Sequence, residues 1–172
     1  DVLLMDFGVE HANYSSDVTR TIPVSGKFSE RQKMVYQAVR RVQKEAIQML
    51  RPDISLAEYQ KEIGNIMEAE LVGLGLLSSS SKGNPDDEKP KYKQYFMHGI
   101  SHHLGLDVHD LGDKYRKFEK GMVLTCEPGI YIREENIGIR IENDILITDG
   151  DPVDLTEKIP VEAEEIEALM HS

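Results

Sequence analysis

A chain of 172 residues with 40% hydrophobic and 30% charged side chains has the length and balance of one globular domain with a real core. Its 20 Lys+Arg against 31 Asp+Glu leave a formal net charge of −11, which repels nucleic acid and anionic membranes, and no run approaches the ~18 apolar residues of a membrane span. One cysteine, Cys126, excludes an internal disulfide and fits a reducing cytoplasm.

The chain opens in a strand-like apolar run, residues 2 to 7, with neither an initiating Met nor a polar lead. This leads us to expect the carboxy-terminal portion of a larger catalytic domain, spanning 1–172 and truncated on its amino-terminal side. The turn-prone stretch Gly8 to Ser16 links it to a second strand, 18 to 24, so an antiparallel pair would bring Asp6 and Asp17 to neighbouring ends. Ser29 with Gln32 is a capping-box pair, and Val35, Val39, Val42, Ala46 and Leu50 follow at helical spacing until Pro52. Ser55 with Glu58 repeats the device for a helix carrying Tyr59, Ile63 and Met67. Residues 78–93, rich in Ser, Lys, Asp, Gly and Pro, predict an exposed loop. Then come a histidine-rich segment, a strand from Gly121 to Glu127, a Pro128-Gly129 turn, a short strand through Tyr131, and a long strand from Ile137 to Thr148. An acidic helix from about Glu162 to Met170 closes the chain, with Ile166 and Leu169 as its docking residues.

Five polar ligand-type residues interrupt these apolar or glycine-bearing segments: Asp6, Asp17, His102, Glu127 and Glu142. Burying an ionised carboxylate costs several kcal/mol unless it is paired, hydrogen-bonded or bound to metal. Arg20 and Arg140 are candidate partners, but two arginines do not balance four acids, whereas two divalent ions would. An oxygen-dominated set with one imidazole suits Mn²⁺ first, then Co²⁺ or Zn²⁺. His98 and His109 bracket His102. Cys126, one residue before Glu127 in a strand, should face away from the ligands as a small buried hydrophobe.

The stretches Met5-Asp6-Phe7-Gly8, Ser16-Asp17-Val18-Thr19-Arg20-Thr21, Met97-His98-Gly99-Ile100-Ser101-His102-His103 through His109-Asp110, Leu124-Thr125-Cys126-Glu127-Pro128-Gly129 and Gly138-Ile139-Arg140-Ile141-Glu142 resemble, in order, the motifs of the pita-bread metallopeptidases. Within that family they look like the Xaa-Pro aminopeptidases, also called aminopeptidase P. The resemblance implies an α+β fold with a mostly antiparallel curved sheet and outer helices. It implies that Asp6 chelates one ion, that Asp17 and Glu142 bridge both, and that His102 and Glu127 complete the second. His98 and His109 would face the substrate, and Glu127 would also carry the proton of the attacking water, a hydroxide held between the ions. Arg140, two residues before Glu142, would orient the site carboxylates. The implied substrate is a peptide with an Xaa-Pro amino terminus, and the implied full-length protein is a homo-oligomer with a separate amino-terminal domain. His103 and His11 carry no implied role and are expected at the surface or in packing.

Two rivals share the scaffold. Prolidase has the same ligands but cleaves Xaa-Pro dipeptides; Ser101 favours the aminopeptidase, since prolidases more often carry glycine there. A metal-free binding module would have lost ligands, and all five remain here.

Overall fold

The computed structural model describes residues 1–78 and 90–171; most of the expected 78–93 loop therefore lies outside the described residues. Its far end is ordered, as a 3₁₀ turn over Lys91–Gln94 that buries Tyr92.

Strands β1 (Val2–Phe7) and β4 (Val18–Pro23) form the expected antiparallel pair, with Val2 opposite Pro23 and Phe7 opposite Val18. The stretch between them is not a plain loop. It folds into a miniature hairpin, β2 (Glu10–His11) against β3 (Tyr14–Ser15). Its tip residues Ala12 and Asn13 both take positive φ, 52° and 63°, the combination that matches the twist of a two-residue hairpin turn. Gly8 makes the return possible, because any side chain there would collide with the Ser16 carbonyl.

Helix α1 (Glu30–Met49) and helix α2 (Leu56–Gly73) each begin with a complete capping box, on Ser29/Gln32 and Ser55/Glu58. Each box satisfies two of the amide donors that a helix N-terminus leaves orphaned. Val35, Val39, Val42 and Ala46 of α1, with Tyr59, Ile63, Met67 and Leu71 of α2, are wholly buried against a sheet face that contributes Leu124, Ile130, Ile139 and Ile145.

The long strand expected from Ile137 to Thr148 is two strands, β7 (Ile137–Arg140) and β8 (Asn143–Leu146). They pair antiparallel with β6 (Gly129–Ile132) and β5 (Val123–Cys126) respectively. One register runs through both pairs: Cys126 lies opposite Asn143, and Gly129 opposite Arg140. The ladder opens only where Glu127 and Pro128 meet Ile141 and Glu142. Proline has no N–H to give, so the ladder cannot close there; the Pro128 carbonyl still accepts from Ile141 at 3.3 Å.

Residues 100–104 extend this sheet, running antiparallel to β5 through Glu127 N–H to the Ile100 carbonyl, Thr125 N–H to the His102 carbonyl, and Leu104 N–H to the Val123 carbonyl. A short strand β9 (Val153–Asp154), absent from the sequence reading, pairs with β8. The last helix, α3 (Ala163–Met170), buries Ala163 and Ile166, whereas Leu169 stays 54% exposed.

Candidate metal centre

The interruption in the sheet is where the ligand-type side chains gather. With the ladder open, the amide of Glu127 is taken by the Ile100 carbonyl and that of Glu142 by the Thr19 carbonyl on β4, at 2.9 and 3.1 Å. Neither backbone donor is wasted, and both carboxylates are held between strands. Thr19 also donates its hydroxyl to Glu142 Oε2 at 2.6 Å, while its opposite neighbour on β1 is Asp6. Asp17 sits just ahead of β4, with its N–H on Asp144 Oδ2 at 3.1 Å. His102 is fixed from β5, its amide donating to Thr125 Oγ1 at 3.1 Å.

Four elements thus converge on one cavity of about 510 Å³. Three overlapping sets, Asp6/Asp17/Glu142, His102/Glu127/Glu142 and Asp17/His102/His109, each bring their ligand atoms within 4.8 Å of one another. All five residues expected as ligands are in these sets, and His109 joins one of them. The rings of His102 and His109 meet edge-on with centroids 4.3 Å apart.

The orientation of His102 is informative. Its Nδ1 lies 3.0 Å from the His103 carbonyl, which can only accept, so Nδ1 carries the proton. Burial holds the ring's pKa below its usual value and the ring neutral, leaving the Nε2 lone pair aimed at Asp17 Oδ2 and Glu127 Oε1, 3.5 and 3.8 Å away. An acceptor facing two acceptors is satisfied by a cation between them, and an Nδ1–H bound to a carbonyl is the usual support for a metal-ligating imidazole.

The electrostatics agree. Burial raises Glu142 to about 8, Glu127 to about 7 and Asp17 to about 6; Asp17 adds to the rise in both glutamates, Glu127 to that in Glu142, and Asp6 to that in Glu127 and Asp17. Arg140 opposes all three shifts without cancelling them. It pairs with Asp6 through Nη2, donates to Thr19 Oγ1 at 2.9 Å, and comes within 3.8 Å of Glu142. Arg20, weighed above as a second neutralising cation, feels the charge of Glu142 and Asp154 but pairs with neither. Its guanidinium bonds carbonyl and amide oxygens, and among the described residues no carboxylate is a hydrogen-bond partner. A set of acids running from exposed Asp6 to buried Glu142, with one arginine paired to it and one or two imidazoles, is rich in oxygen donors and fits hard divalent ions such as Mn²⁺.

His98 lines the cavity, but both its ring nitrogens are already engaged. Nδ1 is 2.7 Å from the Gly99 carbonyl, and Nε2 is 2.8 Å from the Tyr131 hydroxyl. The carbonyl places the proton on Nδ1, so Tyr131 donates to Nε2. Sequence reasoning missed Tyr131; the signal available was the pair Gly129 and Gly138, which leave room for its ring. Asp144, buried behind Asp17 and with no hydrogen-bond partner for Oδ1 among the described residues, was also missed. His103 packs edge-on to Phe118, and His11 is exposed on β2. Cys126 is fully buried with its thiol pushed up to about 12, an inert group beside Tyr59.

Comparison with known proteins accords with this geometry. The model of metallopeptidase family M24 matches residues 1–149. Among curated relatives, an Xaa-Pro aminopeptidase of Haemophilus influenzae is 44% identical, with 99% of this chain aligned to 42% of that protein. One of Escherichia coli is 43% identical, at 99% and 41%. The chain therefore spans about two fifths of the length of these relatives. Among solved structures, an aspartate-to-alanine variant of Escherichia coli aminopeptidase P superposes with a TM-score of 0.89 at 42% identity, covering 99% of this chain and 41% of that one. A zinc-substituted form of the same enzyme with product gives the same values. The α+β architecture is thus that of the pita-bread fold.

Proposed function

We propose, since this chain belongs to metallopeptidase family M24, that it forms the metal-binding part of a metalloaminopeptidase that removes the first residue from peptides with proline in second position. The observation that carries this reading is the placement of His102, with Nδ1 on the His103 carbonyl and Nε2 3.5 and 3.8 Å from carboxylate oxygens of Asp17 and Glu127. The relatives named Xaa-Pro aminopeptidase supply the substrate class.

In this reading Asp6, Asp17, His102, Glu127 and Glu142 hold two divalent ions, with Mn²⁺ preferred to Co²⁺ or Zn²⁺ because oxygen donors dominate. Bound there, the ions supply Lewis acidity and lower the pKa of water towards neutrality. The chain's own groups do the rest. Glu127, beside His102, takes the proton of the attacking water and returns it to the departing proline nitrogen. His109 reaches the same cavity and offers an imidazole N–H to the oxygen that gains negative charge. His98, braced by Tyr131 and packed edge-on against Phe96, forms a wall on the prolyl side. Arg140 keeps Asp6 and Glu142 aimed inward.

The test is metal content together with peptide cleavage by the full-length protein. Two bound divalent ions and turnover of an Xaa-Pro-Xaa tripeptide, with little of the Xaa-Pro dipeptide, are expected. Cleavage of the dipeptide alone would replace this reading with prolidase, and a folded protein that binds no metal would replace it with a binding module.

A further inference from the structure

Arg20 is 3% exposed, yet its fork is spent on oxygens without formal charge. Nη1 donates to the Thr19 carbonyl at 2.9 Å, the Glu142 carbonyl at 2.7 Å and Asn143 Oδ1 at 2.9 Å. Nε donates to the Pro160 carbonyl at 2.8 Å and Nη2 to the Ile159 carbonyl at 3.2 Å. One side of the guanidinium therefore grips the backbone on which Glu142 is mounted. The other side grips the segment leading into α3.

Both grips matter to the site. Thr19 gives Glu142 its carbonyl for the amide and its hydroxyl for the carboxylate, so fixing the Thr19 and Glu142 carbonyls fixes the Glu142 side chain from both strands. Asn143 Oδ1 also accepts from Gln43 on α1, which ties the same point to the helical layer. The segment after β9 offers its carbonyls in succession, Ile159 and Pro160 to Arg20 and Val161 to the Tyr36 hydroxyl at 2.8 Å. Only a planar fork with five donors reaches all these acceptors at once; a lysine ammonium has three donors at one point.

The geometry points to Arg20 as a positioning residue that couples the docking of residues 155–161 to the affinity of the Asp6/Asp17/His102/Glu127/Glu142 centre for divalent ions. It rests on the metal-binding reading above. Coupling of this kind is reciprocal: if the docked segment tightens metal binding, bound metal tightens the docking.

Two measurements on the full-length protein test it. The first is amide hydrogen exchange of the wild type in EDTA and in saturating Mn²⁺. Residues 155–161 are expected to exchange faster than α1 in EDTA, by local opening, and to slow roughly tenfold in Mn²⁺. Exchange over residues 155–161 that is the same in EDTA and in Mn²⁺ overturns the inference. The second is Mn²⁺ titration by calorimetry. Arg20→Lys is expected to bind about tenfold more weakly, the usual effect of removing a support behind a ligand. Ser29→Ala, which loses the cap of α1 and does not line the cavity, is expected to bind as the wild type does. Wild-type affinity in Arg20→Lys, or an equal loss in both variants, overturns the inference; should Arg20→Lys not fold, the exchange experiment decides. A wild type that binds no Mn²⁺ sinks the metallopeptidase reading instead, whereas one that binds two ions without coupling sinks only the role of Arg20.

Discussion

Glu127 and Glu142 face each other across the opening between two paired stretches of one hairpin, with Cys126 opposite Asn143 on one side and Gly129 opposite Arg140 on the other. Like charges directly opposite on antiparallel strands destabilise a sheet, so this arrangement is costly in the bare protein. Their ligand atoms lie, with His102, within 4.8 Å of one another. A structure that keeps two acids there without a matching pair of arginines is arranged for a cation or for protons.

That cost should be visible as pH-dependent stability of the metal-free protein. Glu142, 2% exposed in its side chain, is raised from 4.5 to about 8. Between those values the native state keeps a proton that the unfolded chain has released, so stability is full below pH ~4.5 and falls as pH rises towards 8. Glu127 and Asp17, raised to about 7 and 6, act in the same direction. Glu142→Gln removes the largest share. In EDTA its stability relative to wild type should improve between pH 5 and pH 8 by a few kcal/mol in order of magnitude. Urea unfolding at several pH values measures this, and a difference independent of pH would refute it.

Glu127→Gln keeps the shape of the side chain and its backbone bond to Ile100 but removes the charge to which the proposed function gives metal binding and proton transfer. Turnover of an Xaa-Pro tripeptide by the full-length protein should fall by at least about a thousandfold, within the range that general acid–base catalysis supplies. Circular dichroism should be unchanged. Retention of a tenth of wild-type kcat would show that Glu127 does not handle the proton.

What the chain alone disclosed and what it did not follow from how local each cause is. Caps are local: Ser29/Gln32 and Ser55/Glu58 begin the helices at the expected residues. Periodicity is local too, and it placed Glu127 and Glu142 in strand segments, but it did not disclose the pairing of those segments in one register. It could not show that Pro128 opens the ladder beside them, because that depends on which residue lies across from it. The five side chains that gather here drew notice as four acids and a histidine in apolar or glycine-bearing segments. Tyr131 did not, since a tyrosine in a strand is ordinary until His98 is found 2.8 Å from its hydroxyl. Arg20 was legible as a buried cation but not as one that binds carbonyls, because its acceptors at Ile159 and Pro160 come from a segment nearly at the other end of the chain.

The helical layer carries stability rather than chemistry. Ile63 is fully buried in the core cluster with Val39, Met67 and Ile130. Ile63→Ala should cost about 2–5 kcal/mol in a urea titration, the range for deleting a large aliphatic side chain from a packed core. Metal affinity of the folded fraction should be unchanged. A loss of metal affinity without a loss of stability would mean that α2 shapes the centre directly.

Metal removal should cost stability in proportion to occupancy. A ligand that binds only the native state stabilises it by RT ln(1 + [L]/Kd), about 2.7 kcal/mol when free ligand is a hundredfold above Kd. Here the gain has a second source: the ions favour the ionised forms of Glu142, Glu127 and Asp17, whose raised pKa values measure how poorly the bare site tolerates charge. The Mn²⁺-induced rise in Tm should therefore grow from pH 5 to pH 8, as binding ceases to compete with protons. Scanning the protein with and without Mn²⁺ across that range checks it. A metal-induced shift that shrinks as pH rises would mean that the bound ion sits somewhere other than this carboxylate cluster.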